Sequence, residues 1–363
     1  MSRGRSRALA VVRPEIRKLA GYVPGKQPAP GSRVIKLNTN ESPLPPSPAV
    51  ARAISGLLAD GDALRRYPVP DSSALRAAAA GVFGCRPEEV IAGNGSDELL
   101  RIIVDAFVEA GETIAYFHPS YSLYPVLAAI RGARGHSLPL FNEQGKIYLP
   151  DERQLGGARL FLLTSPNAPL GFSFSNDYIG RLAESFSGVV VVDEAYADFA
   201  ETSALELVGE RDNLIVLRTL SKSYGLAGLR VGLGAGPAEI IAELDKVRDS
   251  YNLDRLAQVG ATAALEDQEY LARTVALVKE ERAFLAGELE RLGFSVRPSQ
   301  TNFIFVTPPP AVAAERLYLD LEKEGILVRW FADPALRHGL RITIGTHSEM
   351  EALLTAVKRL LGE

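Results

Sequence analysis

At 363 residues the chain exceeds the roughly 250 to 300 that one hydrophobic core usually holds, which calls for two units or one large α/β unit with an appendage. Forty basic against 44 acidic residues leave a net charge of −4, no footprint for nucleic acid or an anionic membrane, so the partner expected is a small molecule. The one cysteine, Cys85, excludes an intrachain disulfide framework, the four histidines show no HExxH-like metal pairing, and no apolar run reaches the ~20 residues that span a bilayer.

Arg3, Arg5, Arg7, Arg13, Arg17 and Lys18 stand against Glu15 at the start of the chain. Without an apolar signal core they read as the mobile basic arm of a cytoplasmic protein. Residues 22–48 hold seven prolines and few apolar side chains, the composition of an extended arm rather than a packed element. Helical apolar spacing follows at 49–58 and 73–83. From Glu89 short apolar runs at 90–92, 113–117, 160–164, 189–192 and 214–217 mostly alternate with helical stretches at 98–109, 124–130 and 177–185. That alternation predicts an α/β fold with a largely parallel sheet covered on both faces, its strand ends facing one crevice. After Asp254 the texture changes to a long charged helix at 267–292. Strands at 294–296, 302–306, 326–330 and 340–344 and a closing helix at 348–361 then make a smaller α+β unit. The expected division is an arm over 1–48, a large unit over 49–253 and a smaller one over 254–363.

Four features fall at predicted strand ends. Lys222 lies between Ser221 and Ser223 in LRTLSKSYGLAGLRVG, where a strand gives way to a Gly-rich turn. A lysine partly desolvated there and near other cations has a depressed pKa and becomes a nucleophile, and Arg230, eight residues on, offers a planar fork to an anion. Gly93-Asn94-Gly95-Ser96-Asp97 opens a helix, so it offers free N–H groups to a phosphate or is an ordinary helix cap made by Ser96 or Asp97. It is neither a Walker loop nor the GxGxxG of a dinucleotide enzyme. Asp193 follows four valines; a carboxylate there needs a cationic or hydrogen-bonding partner, or else caps the next helix. Tyr196 could reach the same ligand, and Tyr121 could stack on an aromatic ring. Together, a phosphate cradle, an aspartate for a ring nitrogen, a nucleophilic lysine and an arginine are what pyridoxal 5′-phosphate (PLP) requires.

The stretches Tyr22-Val-Pro-Gly-Lys26, Leu37-Asn-Thr-Asn-Glu41, Arg66-Tyr-Pro68, Gly95-Ser-Asp-Glu98, Pro119-Ser-Tyr121, Ser165-Pro-Asn-Ala-Pro-Leu-Gly171, Asp193-Glu-Ala-Tyr196, Arg218-Thr-Leu-Ser-Lys222 with Gly228-Leu-Arg230, and Leu340-Arg-Ile-Thr343 occur in order along the chain. With them the sequence resembles the histidinol-phosphate aminotransferase family of fold-type-I PLP enzymes over nearly its whole length. The resemblance implies a seven-stranded, mostly parallel sheet, Lys222 as the Schiff-base lysine, Asp193 on the pyridine nitrogen and Tyr196 on the phenolic oxygen. It further implies stacking by Tyr121, phosphate contacts from Gly95, Ser96, Asp97, Ser221 and Arg230, and a homodimer in which Tyr67 reaches the neighbouring subunit's cofactor. Tyr22, Arg329 and Arg341 are the expected holders of an anionic substrate tail. Where the family usually has SPNNPTG, this chain has Ala168 and Leu170, which leaves the bond to the phenolic oxygen to Asn167 or to Tyr196 alone. The implied activity is amino transfer between L-histidinol phosphate and 2-oxoglutarate. Within the family the rivals are an L-threonine-O-3-phosphate decarboxylase and an aromatic amino-acid aminotransferase; outside it, a non-catalytic PLP-binding module.

Overall fold

The computed structural model describes residues 7–22, 24–29, 31–147 and 149–362. Arg3 and Arg5 of the basic arm, and Val23 of the stretch 22–26, lie outside them. The rest of the arm is not plain coil: Arg7–Ala10 and Pro14–Lys18 are short helices, and Arg13 donates to Ile130 O. Strand β1 (Ile35–Lys36) comes next, and the segment around it departs from the extended, unpacked arm expected. Leu37, Asn38 and Asn40 are buried, because Ile35 and Leu37 donate main-chain bonds to Gly325 and Leu327 far along the chain.

The helix Pro48–Ala59 starts where Pro48 supplies a preset φ and Ser47 Oγ accepts from Ala49 N. Seven strands then follow: β2 (Val90–Gly93), β3 (Thr113–His118), β4 (Arg134–Pro139), β5 (Leu160–Thr164), β6 (Val189–Asp193), β7 (Leu214–Thr219) and β8 (Gly232–Ala235). They form one sheet in the order β2-β8-β7-β6-β5-β3-β4, parallel except for β8. Its strands are apolar throughout because both faces are covered. Phe161, Leu163, Val190, Val192 and Val216 fill one core, while Leu160, Leu162, Val191, Ile215 and Leu217 fill another. β5, β6 and β7 end on Thr164, Asp193 and Thr219, a row of polar residues after apolar runs at one edge of the sheet.

The helix Arg255–Glu266, in the region expected to begin the smaller unit, instead buries Ala257, Ala261 and Leu265 in a core with Val50 and Leu75. Further on, β9 (Ser295–Val296), β10 (Phe303–Thr307), β12 (Arg329–Trp330) and β13 (Leu340–Thr343) make an antiparallel sheet in the order β12-β13-β10-β9. The single strand expected over 326–330 is broken at Val328: β11 (Ile326–Leu327) runs parallel to β1, and β12 turns to pair with β13. The helices Gln268–Arg291, Ala314–Lys323 and His347–Leu361 cover this sheet through Val278, Leu285, Leu317, Leu321, Leu353 and Val357. The segment around β1 joins the two sheets, and a cavity lies where it crosses the ends of β5, β6 and β7.

Candidate active site

Thr164, Asp193 and Thr219 line this cavity together with Lys222, because parallel strands bring their carboxyl ends to one edge. Lys222 follows β7 in the turn, and its Nζ donates to Thr39 O at 3.2 Å and lies 5.9 Å from the centre of the Tyr196 ring. Burial first, then the charges of Arg341 and Arg230, hold its pKa down at about 8, against the pull of Glu41. Below the turn, buried Glu194 accepts from Arg218 at 3.0 Å, Arg218 also bridges to Asp198, and Asp198 accepts from Ser223. The turn is therefore fixed from beneath by paired charges that cannot be separated cheaply. Acetylation of Lys222 in cofactor-free protein, followed by mass spectrometry, is expected to reach half its limiting rate near pH 8; a midpoint at the ordinary 10.5 contradicts the burial argument.

Asp193 is buried, and its Oδ2 accepts from the Tyr124 hydroxyl at 3.2 Å. Its Oδ1 is equally buried and has no partner among the described residues. Burial, reinforced by the negative charge of Asp97, raises its pKa from 3.8 to about 7, while the Tyr124 hydroxyl, the Ala195 main-chain N–H and Lys222 pull the other way. A cationic N–H in the cavity would answer that orphan oxygen. Tyr124, which sequence reasoning missed, looks like one more apolar residue of the helix Leu123–Arg131, yet its hydroxyl bridges Asp193 and Thr164.

Gly95, not Ser96 or Asp97, caps the helix Ser96–Phe107, and among the described residues no side-chain cap bonds to the N–H groups of its first turn. The turn needs glycine: φ is +82° at Gly95, and a Cβ there would meet Arg230 Nη2 at 2.6 Å. At Gly232 of β8 a Cβ would press on Gly95 C and Ser96 N at 2.4 Å. Arg230 reaches Ser221 Oγ at 3.3 Å and Asp97 Oδ2 at 3.5 Å, and Tyr121 donates to Asp97 Oδ1 at 3.0 Å. Free N–H groups, a hydroxyl and a guanidinium thus converge as an anion cradle.

Arg341 of β13, also in the cavity lining, pairs in register with Arg329 of β12. Arg341 packs over Phe303 and Phe331 and donates to Asn38 O at 2.9 Å, but its buried Nε has no partner among the described residues. Tyr22 lies edge-on to Tyr121 at 5.9 Å, close enough to Arg341 and Arg329 for both to oppose the upward shift that burial gives its phenol. Arg329, Arg341 and Tyr22 thus line the same cavity as Lys222 and Asp193, and the charge of Arg341 acts on Lys222.

Two predicted residues stand apart. Asn167 turns away from the cavity: its Oδ1 accepts from Leu170 N at 3.2 Å and its Nδ2 points to Pro119 O at 3.4 Å, so it cannot replace the donor missing at Ala168, which does line the wall. Tyr67 is 74% exposed and stacks on Tyr251 at 4.4 Å, outside the cavity of its own chain. Asn40, part of the stretch Leu37-Asn-Thr-Asn-Glu41 but given no role by it, lines the cavity and donates through Nδ2 to the Tyr196 hydroxyl at 2.8 Å.

The sequence pattern of the family described as "Aminotransferase class I and II" matches residues 32–357. The chain belongs to that family. This aminotransferase is 51% identical to a histidinol-phosphate aminotransferase of Geotalea daltonii over 95% of its own length and 98% of the relative's. It is 49% identical to that of Geobacter sulfurreducens over 96% and 99%. A solved structure, histidinol-phosphate aminotransferase from Sinorhizobium meliloti in complex with pyridoxal-5′-phosphate, superposes with a TM-score of 0.86 at 28% identity, covering 96% of this chain and 97% of that one. The fold-type-I architecture expected from the sequence is therefore that of this aminotransferase.

Proposed function

We propose that this aminotransferase moves an amino group reversibly between L-histidinol phosphate and 2-oxoglutarate, with PLP as its cofactor. The residues fit that group on two counts, the buried unpartnered Oδ1 of Asp193 and the uncapped, glycine-lined cradle beside Arg230. Bound PLP supplies a cationic ring that draws electrons from the amine-bearing carbon and an aldehyde that carries nitrogen between the two substrates. Asp193 holds the ring nitrogen, Tyr196 donates to the phenolic oxygen, Tyr121 covers a ring face, and Gly95 to Asp97, Ser221 and Arg230 hold the phosphate. Lys222, whose pKa near 8 lets it both give up and take a proton close to neutrality, moves the proton at the substrate's amine-bearing carbon. Arg341, Arg329 and Tyr22 take the substrate's phosphate, or the side-chain carboxylate of the second substrate.

The observation that carries the substrate reading is the Nε of Arg341, unpartnered among the described residues, beside Arg329 and Tyr22, an anion subsite in the cavity that Asp193 also lines. The names of the relatives supply the phosphorylated amine. A homodimer, with Tyr67 serving the neighbouring subunit, and a cytoplasmic location belong to the same reading. No helix among the described residues is long and apolar enough to cross a membrane. Purified protein with PLP and glutamate, offered imidazole acetol phosphate, phenylpyruvate or oxaloacetate, is expected to show its highest kcat/KM with the phosphate ester. Preference for phenylpyruvate, or carbon dioxide release from L-threonine-O-3-phosphate without amino transfer, contradicts the assignment.

A further inference from the structure

Ala168 puts no donor on its part of the cavity wall, and the neighbouring Asn167 is turned away. Tyr196 must then serve the phenolic oxygen alone, and its usefulness depends on where its single proton points. Three buried residues from distant parts of the chain decide that. Asn40 adopts the left-handed φ of +56°, a conformation asparagine tolerates better than most residues. Its main-chain N–H donates to Thr343 Oγ1 at 3.0 Å, and that hydroxyl donates back to Asn40 Oδ1 at 3.0 Å. Asn302 Nδ2 adds a bond to Asn40 O at 3.0 Å. The proton of the Thr343 hydroxyl finds its acceptor at Oδ1, and in that orientation Nδ2 faces Tyr196 and donates to its Oη at 2.8 Å. An amide N–H can only donate. It occupies an acceptor position on the tyrosine oxygen, polarises the phenol, and leaves the phenolic proton free to point into the cavity.

We propose that Asn40, locked by Thr343, is a positioning residue that keeps Tyr196 a hydrogen-bond donor toward the cofactor's phenolic oxygen and so offsets the amide absent at Ala168. The inference rests on the reading that PLP occupies this cavity. Without Thr343 Oγ1 the Asn40 amide is free to rotate, its oxygen can capture the Tyr196 proton, and the cofactor loses its donor. Negative charge on the phenolic oxygen is then less stable, so the proton it shares with the Lys222 nitrogen is held more tightly.

The test is a pH titration of the visible absorbance of the PLP-loaded protein, with cofactor affinity measured alongside. Thr343→Val is expected to raise the midpoint by about one to two pH units, the size of one charge-assisted hydrogen bond. Thr343→Ser, which keeps the hydroxyl, restores the wild-type midpoint. Asn40→Ser, which removes the amide yet remains small, moves it in the same direction as Thr343→Val. In an Ala168→Asn background the effect of Thr343→Val shrinks, because a second donor is present. A folded, PLP-loaded Thr343→Val protein with the wild-type midpoint overturns the inference while leaving the cofactor reading intact. A wild-type protein that develops no cofactor band after PLP is added overturns the cofactor reading, and the inference with it.

Discussion

Replacing Lys222 with alanine is expected to lower kcat about 10⁴-fold, the upper range for removal of a positioned acid–base group. The loss comes from kcat rather than from substrate binding, because the contacts of Arg341 to Asn38 O and of Tyr22 to Tyr121 do not involve Lys222 and are kept. The cradle at Gly95 and Arg230 and the carboxylate of Asp193 are also untouched, so the variant still takes up PLP, now removable by gel filtration. Retention of more than about a hundredth of wild-type kcat contradicts the role given to Lys222. The Glu194–Arg218–Asp198 network beneath the turn makes collapse of the fold a poor explanation for the loss, and circular dichroism of the variant checks this.

Asp193→Asn is expected to have two opposite effects. In the loaded enzyme the variant loses a charge-assisted bond to the cofactor's ring nitrogen, and loss of one member of such a buried pair costs about 2 to 5 kcal/mol, or roughly 30- to 5000-fold in rate. In the cofactor-free protein the change stabilises. The Asp193 carboxyl has its pKa raised from 3.8 to about 7, mainly by burial. A folded state that holds a proton more tightly than the unfolded chain is favoured by it below about pH 4 and loses that advantage as the pH rises through 7. Above that, the buried charge costs up to about 4 kcal/mol, which asparagine avoids. Thermal melts of the cofactor-free proteins should therefore show the variant more stable at pH 8, with the gain fading between pH 7 and 4. A variant less stable than wild type at pH 8 would contradict the view of Asp193 as a carboxylate waiting for a cation.

Most of the large sheet was legible because its strands are buried on both faces: Val189–Asp193 and Leu214–Thr219 read as continuous apolar runs ending on polar residues. β8, Gly-Leu-Gly-Ala, gave no strand signal, since Gly232 answers to the close approach of the Gly95 turn and Gly234 to that of the Ile91 and Leu217 side chains rather than to strand propensity. β4, with Arg134, His136 and Ser137, was hidden because it is an edge strand with a largely exposed sequence. Lys222, Asp193 and the Gly95 turn stood out because each breaks an apolar pattern at a strand end. Tyr124 did not, because a hydroxyl on the buried face of a helix changes no periodicity. Asn40 and Thr343 meet across 303 residues, and no local pattern signals such a pair. The proline-rich segment before Pro48 misled for a related reason: its backbone is extended, as its composition requires, yet β11 takes up its main-chain bonds and buries it.

The most direct test of the central claim is chemical. Sodium borohydride reduction of the PLP-loaded protein, followed by proteolysis and mass spectrometry, should place the mass of the reduced cofactor on the peptide carrying Lys222, with the modification lost if an amino donor is added first. Attachment at any other lysine, or no attachment in a preparation that contains PLP, would contradict it.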